Sequence, residues 1–231
     1  MKRRFLRFAL AGTFLFGLLY IPNGAVWLLS SGESRCTGSA SSGTLESAVQ
    51  LTGGSTAASY CWICSRALRT YGHHKAVKAA EDAYQTVGST FPGTKWIFGE
   101  AAWPWGGPLW PHRTHQTGLS FDFMSPLKEE KVMPSHPFNR FGYDERFDRN
   151  GRGSAGQIDF DALAAHLVAL KNEAAKGGFG IRKVILAPDL QDDLFAASSG
   201  SEVRATINFN RTPVWVRHDN HYHVDFDIRC G

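Results

Sequence analysis

Between His221 and Ile228 the chain alternates strictly, with His221, His223, Asp225 and Asp227 on one side and Tyr222, Val224, Phe226 and Ile228 on the other. A two-residue period marks a β-strand with one apolar face. The segment therefore belongs in a sheet whose covered side takes the aromatic and aliphatic residues. The opposite side shows two imidazoles and two carboxylates to whatever lies above it.

A second strand is predicted where Leu119, Phe121 and Phe123 alternate with Ser120, Asp122 and Met124, which displays the Asp122 carboxylate away from the phenylalanines. Two helices read from three- and four-residue spacing. Val77, Ala80, Tyr84 and Val87 predict one over residues 75–87, ending near Gly88. Phe160, Leu163, Leu167, Leu170 and Ala174 predict another, capped by Asp159 or Asp161 and stopped at Gly177 and Gly178. His166 falls off that stripe and reads as solvated. Short strands are expected at residues 95–98 and 181–187; residues 203–210 alternate as well, with a helix as the alternative. Residues 101–111, dense in Trp, Pro and Gly, read as a loop beside a cleft, with Trp103, Trp105 and Trp110 expected to pack rather than to grip sugar. The class is α+β, a small antiparallel sheet flanked by helices, and 231 residues suit one core.

Lys2, Arg3, Arg4 and Arg7 precede an apolar run over residues 8–21, the pattern of an export signal. Continued through Leu29 the run is long enough to span a bilayer, so residues 1–32 are expected to be a signal or a retained anchor. This implies the periplasm, with residues 8–29 as a tether to the inner membrane if the segment is retained and none if it is cleaved. The same four cations account for the net charge of +4, and without them 21 basic residues face 21 acidic ones. Nucleic acid is therefore not the expected partner, because phosphate binding needs a basic excess. Residues 33–59, rich in Ser and Gly, read as a linker, and residues 60–231 as the domain. In an oxidising compartment the four cysteines allow two disulfides. Cys36 and Cys230 form one candidate pair across the ends. Cys61 and Cys64 read as a structural disulfide, since no second C-x-x-C completes a metal site and no clear strand leads into the motif.

Two windows carry the chemistry. The first holds His112, His115 and Asp122; the second holds His218, His221 and His223. A catalytic zinc ion takes three ligands from such residues and keeps a position open for water. An H-x-H on a strand can also be an ordinary surface feature, but two such windows, each leading into or lying on a strand, point to a shared metal. Ser125-Pro-Leu-Lys128 spells S-x-x-K by coincidence, since the companion motifs S-D-N and K-T-G are absent.

The spacing His-x6-Asp followed late in the chain by His-x-His resembles the zinc group that unites lysostaphin-like peptidases, D-Ala-D-Ala metallopeptidases and hedgehog domains. More closely, the doubled pattern of His112 and His115 before Asp122, then His218, His221 and His223, resembles the penicillin-insensitive murein endopeptidases. His115-Gln-Thr-Gly-Leu119 is similar to that family's first motif, and the likeness covers roughly residues 95–230. The resemblance implies one Zn2+ held by His115, Asp122 and His223. It also implies catalytic roles for His221, His218 and His112, with the choice of general base left open and with His112 hydrogen-bonding the scissile group, orienting a ligand or adding a further metal ligand. Asp225 reads as a surface acid or as support for a ligand. The implied activity is hydrolysis of D-amino-acid cross-links of peptidoglycan. A D,D-carboxypeptidase or dipeptidase of the same group, or a zinc-bearing peptidoglycan-binding module without turnover, are the alternatives.

Overall fold

The computed structural model describes residues 17, 21–28, 30, 32–128 and 143–231. The signal or anchor expected over residues 1–32 lies mostly outside the described residues, apart from a helical stretch at 21–28. Asn23 in that stretch donates to the Arg66 carbonyl and accepts from the Tyr71 hydroxyl. Among the described residues no helix is long and apolar enough to cross a membrane.

The central sheet has five strands. These are β4 (Ala57–Ser59), β6 (Trp96–Phe98), β7 (Ser120–Met124), β10 (Gly180–Ile185) and β11 (His221–Asp227). Their order is β10-β11-β7-β6-β4, antiparallel except for β4, which runs parallel to β6. The alternation in β11 does what its period requires. Tyr222, Val224 and Phe226 are buried on one face beside Phe121 and Phe123 of β7. The register sets His223 opposite Asp122 and Val224 opposite Phe121.

Two long helices cover the apolar face, α2 (His74–Thr90) and α3 (Phe160–Lys176), preceded by the short α1 (Trp62–Arg66). The α2 stripe of Val77, Ala80, Tyr84 and Val87 is buried, and the helix runs past Gly88 to Thr90. His73 caps its start, its ring accepting from the Lys75 amide. Asp159 caps α3 by accepting from the Ala162 amide at 3.1 Å. Leu163, Leu167 and Leu170 are fully buried, each stabilising the fold by about 1.5–3 kcal/mol.

His166 is not solvated. It is fully buried, stacks on Tyr84 with ring centroids 4.6 Å apart, and shares a hydrogen bond between Nδ1 and the Tyr222 hydroxyl. The cause is that α3, which also packs against the later helices α4 (Gln191–Ala196) and α5 (Gly200–Thr206), turns His166 between α2 and the sheet, where its ring meets Tyr84, Trp96, Phe123 and Tyr222. The 203–210 segment resolves into the end of α5 and an extended stretch in which Phe209 bridges Val184.

The segment expected as a linker is folded. β1 (Arg35–Ser39) and β2 (Ser42–Glu46) form a hairpin, β3 (Val49–Gln50) pairs with β5 (Tyr71–Gly72), and β4 joins the central sheet. The fold therefore begins by Arg35 rather than near Tyr60. Its small residues answer to close packing: a Cβ on Gly43 would lie 2.4 Å from Thr117 Cγ2. Leu45 and Leu51 are buried, and the Leu45 amide donates to the Trp105 carbonyl at 3.0 Å. Cys36 bonds to Cys230 and Cys61 to Cys64. A hairpin β8 (Arg152–Gly153) and β9 (Gly156–Gln157) completes the strands.

Candidate metal centre

Asp122 stands at the middle of the sheet and faces away from Phe121 and Phe123, as its register position dictates. It is not displayed to solvent, however. Only 1% of it is exposed, because four imidazoles and a phenol close over it. Its Oδ1 lies 2.9 Å from His223 Nδ1 and 3.3 Å from His115 Nε2. Its Oδ2 accepts from the Tyr143 hydroxyl at 2.7 Å and lies 3.8 Å from His112 Nδ1 and 3.9 Å from His221 Nε2. Gly99 makes this possible, since a Cβ there would lie 2.6 Å from the Tyr143 oxygen and 2.9 Å from Asp122 Cβ.

Each histidine is aimed by a partner on its far nitrogen. His115, in the loop before β7, adopts a left-handed backbone with φ of 71°, a conformation costing about 1–3 kcal/mol. Its Nδ1–H donates to the Ala101 carbonyl at 2.6 Å. That fixes the tautomer, so Nε2 carries a lone pair, fully buried and without a hydrogen-bond partner, toward Asp122. His223 has the complementary arrangement, with Nε2 on Asp225 Oδ1 at 2.9 Å and Nδ1 toward Asp122. Asp225 is therefore not a plain surface acid; Ser120 also donates to it, at 2.6 Å. A carboxylate or carbonyl behind each imidazole is the support that metal-binding histidines use.

His221 donates from Nδ1 to Asn220 Oδ1, and His218 from Nδ1 to the Val216 carbonyl at 2.7 Å. Both leave Nε2 as an acceptor, and their rings lie 4.6 Å apart. Both line a cleft of about 520 Å³ together with His223 and His112. His112 bonds through Nε2 to Glu100 Oε2, turning Nδ1 toward Asp122.

Glu100 was not legible as a site residue. It follows β6, is buried, and accepts from Tyr60 and Arg69 as well as from His112. Tyr143 and Asn220 were also missed; the one signal for Glu100 is a lone acid inside an otherwise apolar stretch from Trp96 to Ala102.

The protein's own charges divide these groups. Burial works to raise Asp122, but His115 and His221 hold it well below the usual carboxylate range. Burial lowers His115 and His221, with Asp122 acting against it, and likewise lowers His218. His223 is opposed by burial yet raised to about 9, because Asp122 and Asp225 both hydrogen-bond it. His112 is raised in the same way by Glu100 and Asp122 against burial. Glu100 itself is held at about 2 by His112 and Arg69, against burial. A divalent ion bound at the cluster would displace the proton from His223 Nδ1.

The structure brings His112, His115, Asp122, His218, His221 and His223 into one cluster. One ligand atom from each of His112, His115 and Asp122 lies within 4.8 Å of the others, close enough to hold a metal ion together. His223 approaches the same carboxylate more closely than His112 does, at 2.9 Å against 3.8 Å. The residues fit a cation by a direct criterion: the buried lone pair of His115 Nε2 faces a carboxylate oxygen with no donor between them. Ser125 lies apart from this chemistry, buried, its hydroxyl directed at the Asp219 carbonyl.

A family model described as penicillin-insensitive murein endopeptidase matches residues 36–231. No curated protein matches the chain.

Proposed function

The chain belongs to the penicillin-insensitive murein endopeptidase family, and from that premise we propose that it hydrolyses D-amino-acid peptide cross-links of peptidoglycan with one zinc ion held by His115, Asp122 and His223. The observation that supports this most is the convergence of His115 Nε2 and His223 Nδ1 on Asp122 Oδ1, each ring braced from behind. Imidazole nitrogens with a carboxylate oxygen are donors that zinc favours. Zinc, when bound, supplies the Lewis acidity that polarises the scissile carbonyl and acidifies water.

The chain's own residues do the rest. Tyr143 holds the second Asp122 oxygen and so fixes the carboxylate's orientation. His221 presents an unprotonated Nε2 beside the cluster, takes the proton from the attacking water and returns it to the leaving amine. Water and amide thus become acid and amine, with no covalent enzyme intermediate. His218, next to His221 in the cleft, carries the proton onward or receives it from solvent. His112, its Nε2 fixed by Glu100, hydrogen-bonds the scissile group through Nδ1.

The basic and apolar leader supports export to the periplasm, where the substrate lies; tethering through residues 8–29 is the further reading, tested by fractionation of membranes. Digestion of cross-linked muropeptides tests the activity. Conversion of dimers to monomers with zinc is expected, and dimers that persist with zinc present contradict the proposal. Release of a single terminal D-amino acid instead identifies a D,D-carboxypeptidase by product mass.

A further inference from the structure

The cleft above the histidines carries more positive charge than the groups around Asp122 account for. Arg69 is neutralised by Glu100. Arg113 and Arg146 line the same cleft as His218, His221 and His223, and among the described residues neither pairs with a carboxylate. Asp144 lines it too, so among the described residues the wall offers two cations without a carboxylate partner and, beside the paired Glu100, one anion.

Both arginines are placed rather than loose. The Arg113 guanidinium sits 5.3 Å over the Trp215 ring, a contact with the ring that uses none of its N–H donors. Arg146 Nη1 donates to the carbonyls of Tyr143 and Glu145 at 2.8 and 2.7 Å, and among the described residues Nε and Nη2 make no hydrogen bond. Those same carbonyls accept from Asn220 Nδ2 at 2.9 and 2.8 Å, and Asn220 Oδ1 accepts from His221. Arg146 and the proton-transferring His221 are thus anchored to the same two backbone groups. Trp110 and Trp215, 79% and 61% exposed, stand along the cleft as apolar walls.

We infer that Arg113 and Arg146 form a carboxylate-recognising subsite, so that the preferred substrate is a peptide bearing free carboxylates beside the scissile bond. This inference rests on the murein peptidase reading, and it deepens it by naming the chemistry that selects the peptide. A planar guanidinium with unused N–H groups matches a carboxylate in a bidentate fork. A polyanion such as nucleic acid is disfavoured by the balance of 21 basic and 21 acidic residues outside the N-terminal four cations.

The test uses the zinc-loaded full chain and two defined cross-linked dimers, one with free carboxylates next to the scissile bond and one with those groups amidated. A preference of about tenfold or more in kcat/KM for the free acid, carried by KM, is expected from charge-assisted hydrogen bonds. The ratio should collapse toward one in a chain with Arg113→Gln and Arg146→Gln together. Arg113→Gln alone, which among the described residues disturbs only the Trp215 contact, should lower the ratio and serves if the double variant fails to fold. Equal kcat/KM on the two dimers, or a preference that survives the substitutions, overturns the inference. If neither dimer is cut, the peptidase reading fails separately. Calorimetric binding of both dimers to the metal-free chain then decides, with the free acid bound more tightly if the subsite exists and equal affinities contradicting it.

Discussion

Asp122 and His223, 101 residues apart in sequence, are direct partners across β7 and β11, and Oδ1 of one lies 2.9 Å from Nδ1 of the other. The sheet register alone makes this pairing. A slip of one residue in either strand would turn that strand's side chain, Asp122 or His223, to the apolar face and bring Phe123 or Val224 among the histidines. Asp122, His221 and His223 are therefore held by the central strands, and His112, His115 and His218 reach them from loops.

Residues placed as ligands and residues placed as proton carriers should separate by metal content. His115→Ala and Asp122→Asn are expected to lose zinc from about one ion per chain, with hydrolysis lost alongside. His221→Ala should keep the ion and still lose activity by about 10²–10⁴-fold. Elemental analysis beside muropeptide digestion reads both; loss of zinc from His221→Ala would exchange the assignments.

The Glu100 carboxylate acts through His112, whose ring it fixes. Glu100→Gln removes the charge that holds the imidazole and leaves Arg69 without its partner, and a loss of about 10–100-fold in kcat is expected with zinc still bound. Chemical shifts of the His112 ring nitrogens would show the altered tautomer. An unchanged tautomer with unchanged kcat would remove Glu100 from the mechanism.

His166 makes stability sensitive to acid. Burial lowers it from 6.5 to about 3, so the folded chain excludes a proton that the unfolded chain binds. Its contribution is complete above about pH 6.5 and is lost as the pH falls from there toward about 3. Between pH 7 and 5 the loss is roughly 2 kcal/mol. Urea unfolding of zinc-saturated protein at the two pH values measures it, and His166→Gln should flatten the difference by that amount.

Cys36 and Cys230 close a loop of sequence separation 194 and fasten the β1–β2 hairpin to the end of the chain. Cys36→Ser with Cys230→Ser should cost about 5 kcal/mol in unfolding free energy by loop-closure entropy. Denaturant unfolding gives the value, and a negligible change would mean that the hairpin is held by its packing alone.

What was legible in the sequence was local. β11 and α3 follow from periods of two and of three to four residues, and the six site residues lie in two short windows whose residue types are those zinc selects. Glu100, Arg69, Tyr143 and Asn220 were not legible, because each acts through a neighbour distant in sequence and has no motif of its own. The stretch over residues 33–59 was misread for a related reason. Its Gly and Ser residues serve close approach of the hairpin to the Trp105 loop, and in composition that looks the same as flexibility. Trp105 and Trp110, expected to pack, are both exposed, and Trp110 lines the cleft with residues far along the chain.

The most direct measurement is a crystal structure of the zinc-saturated chain. One ion bonded to His115 Nε2, Asp122 and His223 Nδ1 at about 2.0–2.2 Å is the expected result. Saturating zinc with no ion between those side chains, or an ion held elsewhere, would contradict the assignment.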